Sequence, residues 1–373
     1  CRRPRRRVRA GRRAMTRWGI VATIKAPLPA IRAFAAWHLD HGAARLVLFL
    51  DDADSAKAAS LSAHPAIHAI ATDAAYWQAR GRRPGKHQVR QSVNATHAVR
   101  ALAHGLDWLA HLDVDEYLLP PATPDATPDE TPAATPGQNR AIAQALAALP
   151  AAALCARVRP AEALAPGGAE APGETLFKAF ALDRAARRAA TRRVFGADGA
   201  ALNGGLLSHV AGKLFLRPAA GAWDWRLHNA WLAEARNPGE AALPAIPLGH
   251  FHAPDRDSFA AKLAFRRKRG SYRAELAPAA AGGETLHDTL ARIEAAEGRA
   301  GLLAFYDRVA RATPTLAAAL QAEGLLIRRR MDLPARVARR FGDADHPRAA
   351  ATAAQTGEAG ENGAQDAVRG RFD

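Results

Sequence analysis

Between residues 18 and 119 the chain alternates short apolar runs with amphipathic stretches, a pattern that predicts βαβ units and a mainly parallel sheet. Ile20–Lys25 reads as a first strand. Pro29 opens a helical stretch through Ile31, Phe34, Ala35 and His38 that ends near Gly42, with each punctuator at its expected end. Arg45–Leu50 is a second strand, running straight into Asp51-Asp52-Ala53-Asp54-Ser55. Ala66–Thr72 is a third. A basic loop, Gly81 to Lys86, then precedes a helix over about His87 to Ala103. The apolar run Leu109-Ala110-His111-Leu112 predicts a central strand that terminates in Asp113-Val114-Asp115-Glu116-Tyr117.

The second half is less regular. Its β-leaning runs are Ala153–Val158, Val210–Leu216, Arg226–Leu232 and Ile246–His252. From Ser258 onward a helical period dominates, through Leu286, Ile293, Leu302–Val309, Leu316–Leu320 and Leu333–Phe341. Residues 120–139 repeat Thr-Pro with Asp and Ala and cannot bury a core, so they predict a surface insertion; residues 343–373 predict a disordered tail. The expected organisation is therefore an α/β domain over 15–255, a helical C-terminal extension over 256–342, and flanking disorder.

Composition changes this picture little. The net charge of +16 invites a nucleic-acid hypothesis, but eight arginines fall within residues 1–13, and without them the excess is halved. Met15 reads as the natural start and residues 1–14 as a basic, disordered extension upstream of it. No nucleic-acid partner is expected, because aromatic and basic residues do not interleave as a base-stacking platform requires. Cys1 and Cys155 form neither a disulfide framework nor a metal knuckle. No apolar run reaches membrane-spanning length.

The chemistry converges on the fourth strand. Two carboxylates at the carboxyl end of a buried strand can reach a hard cation, Mg²⁺ or Mn²⁺, already held by diphosphate oxygens. Strand alternation points Asp113 and Asp115 to one side and Val114 to the other. Asp-x-Asp is also common in solvated turns, so the motif alone leaves both readings open.

In this setting Leu112-Asp113-Val114-Asp115-Glu116-Tyr117-Leu118 resembles the fingerprint Leu-Asp-x-Asp-Glu-[Phe/Tyr]-Leu of a bacterial subgroup of glycosyltransferase family 2-like proteins with a GT-A fold. Further matches are Ala36-Trp37-His38, Asp51-Asp52, Gln91, Asp107-Trp108, Gly212-Lys213 with Arg217-Pro218, and Gly249-His250-Phe251-His252. The likeness covers roughly residues 18–270. It departs at Lys25-Ala26-Pro27, where the family commonly shows Asn-Glu, and at Asp51-Asp52-Ala53-Asp54-Ser55, where Asp-Asn-x-Ser is frequent.

The resemblance implies a nucleotide-sugar donor, a glycan or lipid-linked acceptor, transfer with inversion, and a cytoplasmic site of action with peripheral membrane contact as an option. It implies donor-binding roles for Lys25, Asp51, Asp52, Gln91, Asp113 and Lys213, and metal-binding roles for Asp113, Asp115 and one of His250 and His252. Arg217 joins Lys213 as a candidate diphosphate contact. A solvent-facing histidine pair remains the alternative for residues 250 and 252. Asp198 and Glu174 are candidates for the base, each with a plain surface reading beside it. A sugar nucleotidyltransferase is the nearest rival enzyme, although the glycine-rich loop it calls for is missing after Lys25. A non-catalytic glycan-binding relative is the other alternative.

Overall fold

The computed structural model describes residues 15–121, 140–269 and 285–342, with side chains described up to residue 264 in the second segment. The expected basic extension, almost all of the Thr-Pro insertion and the C-terminal tail lie outside these residues. In chain order the first half comprises β1 (Trp18–Ile24), α1 (Leu28–Asp40), β2 (Arg45–Leu50), α2 (Ser55–Ser62), β3 (Ile67–Ala71), α3 (Ala74–Gln78), α4 (His87–His97), β4 (Trp108–His111), β5 (Glu116–Leu118) and α5 (Ala141–Ala147). There follow β6 (Cys155–Val158), β7 (Pro160–Ala163), β8 (Glu174–Lys178), α6 (Arg184–Phe195), β9 (Lys213–Leu216), β10 (Trp223–Trp225), β11 (Ala230–Leu232), β12 (Ala235–Arg236), β13 (Glu240–Ala242) and β14 (Leu248–His250). The chain closes with α7 (Arg256–Arg269), α8 (Leu286–Ala310), α9 (Pro314–Ala322), β15 (Leu326–Arg330) and α10 (Leu333–Phe341).

The protein is a mixed α/β fold. Its seven-stranded sheet has the order β13-β6-β9-β4-β1-β2-β3, with β9 antiparallel to both neighbours and the remaining pairs parallel. All seven β1 residues are buried, as a parallel strand covered on both faces requires. Their side chains divide by alternation: Trp18, Ile20, Ala22 and Ile24 enter one core with Leu46, Leu48 and Leu50, while Val21 joins Val47, Phe49 and Leu109 in the other.

A five-stranded sheet, β15-β8-β7-β14-β5, was not expected in this form. Its β15 lies within residues 256–342, where a helical extension is expected and where α7, α8, α9 and α10 form around it. This strand pairs antiparallel with β8, and α10 then returns to α1. There Asp40, 3% exposed at the side chain, accepts from Arg336, Arg339 and Arg340. The last helix is thus locked to the first by one carboxylate and three guanidinium groups.

A second correction concerns the acidic motif. Asp113, Val114 and Asp115 lie in a turn between β4 and β5, closed by the Glu116 N–H donating to the Asp113 carbonyl at 3.0 Å. Strand alternation therefore does not bring the two aspartates together; the turn does. The position of β5 is set from α1. Trp37 Nε1 donates to the Leu118 carbonyl at 2.8 Å, and the Leu118 N–H donates to His38 Nε2 at 3.2 Å. His38 consequently carries its hydrogen on Nδ1, which donates to the Phe34 carbonyl at 2.8 Å.

Candidate active site

Helix α4 spans the carboxyl ends of the three central strands. Arg90 binds the Asp51 carboxylate at the end of β2 through Nε at 2.8 Å and Nη2 at 2.7 Å. The next residue, Gln91, donates to Asp113 Oδ1 beyond β4. One turn on, Asn94 donates to Thr23 of β1 at 3.0 Å and accepts from the Tyr76 hydroxyl at 2.6 Å. An amphipathic helix placed there has a polar stripe available where the strand ends offer unpaired groups.

Asp51 also accepts from Arg83 at 3.2 Å and lies 3.0 Å from His87 Nδ1, and its side chain is closed to solvent. Burial opposes ionisation, but the hydrogen bonds from His87 and Arg90 hold the carboxyl below its ordinary range. The observed work of Asp51 is to anchor the basic loop before α4. Asp52 pairs with Lys57, whose ammonium also reaches the Ala26 carbonyl at 3.3 Å. Lys25, one residue past β1, is exposed.

Lys213 is wholly buried and donates to Asp113 Oδ2 at 2.8 Å, with Glu116 Oε2 3.5 Å away. Burial would lower its pKa, and Asp113 and Glu116 raise it instead. Burial pushes the Glu116 carboxyl up to about 7 against the pull of Lys213. Its Oε2 accepts the Asp113 N–H at 2.8 Å, which fixes the turn. Gly212 makes the lysine's placement possible. Its φ is +71°, and a Cβ there would stand 2.0 Å from the Val158 carbonyl oxygen.

Asp115 has partners of its own, with Oδ2 3.7 Å from His250 Nε2 and 3.5 Å from Lys262 Nζ. Burial opposes its ionisation and His250 more than offsets this. His250 belongs to a row of buried charged groups across the second sheet. It is in register with Glu116 on β5 and Glu162 on β7, and Glu162 is in register with Lys178 on β8, 3.1 Å from the Lys178 ammonium. Burial alone would lower the His250 pKa; Asp115, backed by Glu116 and Glu162, raises it. Glu162 is completed by the N–H groups of Leu207 and Ser208 at 2.9 and 2.8 Å. His252 is buried, its ring 5.1 Å from that of His250.

Other histidines surround Lys213 in neutral form. Burial and Lys213 press His111 down to about 3, and burial and His228 bring His209 to about 4. Sequence reasoning gave no site role to His209, His228 or Lys262: the β-leaning run Arg226–Leu232 and the helical stretch after Ser258 contain His228 and Lys262, but periodicity does not show which distant carboxylate they approach. For Glu116 the sequence offers two readings, a hydrogen bond to a metal-bound water or an acidic residue capping the turn, and its bond from the Asp113 N–H matches the second.

The remaining candidates separate from this centre. Arg217 lies at the other end of β9, where its guanidinium is 4.1 Å from the centre of the Trp108 ring and donates to the Ala153 carbonyl at 2.8 Å. It is not a neighbour of Lys213's carboxylates, because the strand between them carries it away. Asp198 pairs with Arg308 and Glu174 with Arg328, each a surface ion pair.

Among the described residues no group of three or more His, Cys, Asp or Glu side chains is arranged to hold a metal ion by itself. Asp115 and His250 nevertheless form a two-member donor set. With the imidazole neutral, the two could hold a cation that takes its remaining ligands from a diphosphate and water. Asp113 is committed elsewhere, with one oxygen to Gln91 and the other to Lys213. Searches of family models and of curated proteins return no match to this chain.

Proposed function

We propose that the protein is a glycosyltransferase of GT-A type that moves a sugar from a nucleotide-sugar donor to a hydroxyl acceptor, a glycan or a lipid-linked precursor, with inversion. The observation that carries this reading is the turn at the carboxyl end of β4. There, one aspartate is neutralised by the buried Lys213 and the other faces His250 across 3.7 Å. Open α/β sheets bind ligands in the crevice outside the carboxyl ends of their strands, where this turn, Thr23 and the Asp51 loop converge.

In this reading Asp115 and His250 hold Mn²⁺ or Mg²⁺. When bound, the cation offsets negative charge on the diphosphate as the bond from the anomeric carbon to its oxygen breaks. Lys213 supplies a fixed positive charge behind the carboxylates and keeps Asp113 ionised. Gln91 and the Asp113 N–H to Glu116 bond hold the Asp113 carboxylate and backbone in place, so little reorganisation accompanies charge separation. The acceptor oxygen bonds to the anomeric carbon from the opposite face, and its proton passes to a base on the acceptor side. Lys25 and Asp52 stand at the nucleoside end.

The test is calorimetric titration of the full chain with UDP and with GDP, with and without Mn²⁺, alongside Asp115→Ala. Metal-dependent binding of one nucleotide that is lost in the variant is the expected result. A folded protein that binds neither nucleotide under any of these conditions refutes the reading.

A further inference from the structure

The arginines of α6 form a second polar centre that the acidic turn does not use. Arg184, Arg188 and Arg192 follow one another at four-residue spacing and are exposed, with Arg187 half-buried on the same side. Like charges at this spacing disfavour a helix. Among the described residues none of the four, nor Arg159, is paired with a carboxylate. Arg187 instead reaches the carbonyls of Ala181 and Leu182, and Arg159 those of Val210 and Ala211. Arg157 is also present, but it is satisfied by Glu240 at 2.6 and 2.8 Å.

These side chains line concave space rather than a flat face. One hollow, of about 530 Å³, lies between α6 and the loop through Asn203 and Gly204; another, of about 440 Å³, is bounded by Arg159, Phe180, Leu182 and Leu243. Arg187 and Val210 border both. The volumes suit a small molecule. Burial and the neighbouring guanidinium of Arg157 lower the Arg159 pKa, although Glu240, which also lines this hollow, opposes them. Planar guanidinium groups converging on a hollow match phosphate oxygens.

We propose that this groove binds a phosphate-bearing ligand, of the class of a phosphate or diphosphate ester, at a site separate from the acidic turn. One loop touches both centres. Its Leu207 and Ser208 N–H groups hold Glu162, the register partner of His250, while Val210 two residues later borders the groove. The proposal does not depend on glycosyl transfer, since anion binding by the groove can be measured without any donor.

The probe is inorganic pyrophosphate, titrated by calorimetry into the full chain at about 0.15 M salt. The protein is compared with Arg188→Ser/Arg192→Ser and with a charge-matched control, Arg236→Ser/Arg299→Ser. All four positions are exposed, and equal melting temperatures establish that the variants fold. The α6 pair is expected to weaken binding by at least about tenfold, the loss of charge-assisted hydrogen bonds, while the control stays within about twofold. Equal weakening by both pairs, or no change in either, overturns the proposal. Vesicles of phosphatidylcholine with and without phosphatidylglycerol identify the source of the phosphate. Loss of vesicle binding in the α6 pair assigns the groove to a lipid headgroup, and its retention assigns it to a soluble ester.

Discussion

Arg90 and Gln91 are consecutive on α4 yet bind the acidic ends of two strands, Asp51 after β2 and Asp113 after β4, with β1 lying between them in the sheet. About a quarter-turn of helix therefore sets the spacing of both sides of the crevice. A shift of α4 would move Asp113 and the Asp51 loop together, so the two cannot be tuned separately.

Asp51→Asn tests this coupling. The substitution leaves Arg90 buried against a neutral amide, and breaking a buried pair in this way costs about 3 kcal/mol. A drop of that size in unfolding free energy, with faster proteolysis at Arg80, Arg82 and Arg83, is the expected outcome. A change within about 0.5 kcal/mol would show that Asp51 is not an anchor.

Lys213→Met removes the cation between Asp113 and Glu116. The cost should fall near 2 kcal/mol, below that of a fully sealed pair, because the Asp113 side chain remains 31% exposed and Glu116 can take up a proton. Adding Glu116→Gln should recover part of the loss, since no buried charge then lacks a partner. Chemical denaturation of the single and double variants measures both effects.

The neutral imidazole of His38 makes stability depend on pH. Burial lowers its pKa from 6.5 to about 3. Between those values the unfolded chain binds the proton and the folded protein does not. The contribution of His38 is thus complete above pH 6.5 and declines as the pH falls towards 3, with a limiting slope of about 1.4 kcal/mol per pH unit. His38→Gln, compared with the parent by urea unfolding from pH 7 to 4, should show a slope shallower by that amount.

Gly212→Ala places a methyl group against the Val158 carbonyl at a backbone angle alanine disfavours. A loss of at least about 2 kcal/mol is expected, together with weakened nucleotide binding, because the residue precedes Lys213. Alanine at Gly324, which follows the C-cap of α9 with φ of +66° and no atom within 4 Å, should cost only about 1 kcal/mol. Thermal unfolding separates the two.

The strands β1, β2 and β4 were legible because burial on both faces writes a continuous apolar run. The same logic hid β7 and β8. Pro-Ala-Glu-Ala and Glu-Thr-Leu-Phe-Lys place Glu162 and Lys178 in positions a hydrophobic template assigns to solvent, whereas here the two charges bury each other. β15, Leu-Ile-Arg-Arg-Arg, reads as a basic surface for a similar reason. At the candidate site, the location of Asp113 and Asp115 was readable but their arrangement was not. A turn replaced the expected alternation, and the partners that determine each carboxylate's state, Gln91 and Lys213 for one and His250 for the other, come from remote segments.

The Asp40 clamp bears on the order in which the protein is built. Its carboxylate ends the first helix, but the guanidinium of Arg336 that shares its buried position is 296 residues further along the chain. During synthesis the β1-α1-β2 unit emerges well before α10, with this carboxylate lacking its counter-charges. Until the last helix leaves the ribosome Asp40 must stay hydrated, which keeps the end of α1 open to water. Closure of this seam therefore waits for the segment that carries Arg336, and a chain cut short before Arg336 leaves the end of α1 open.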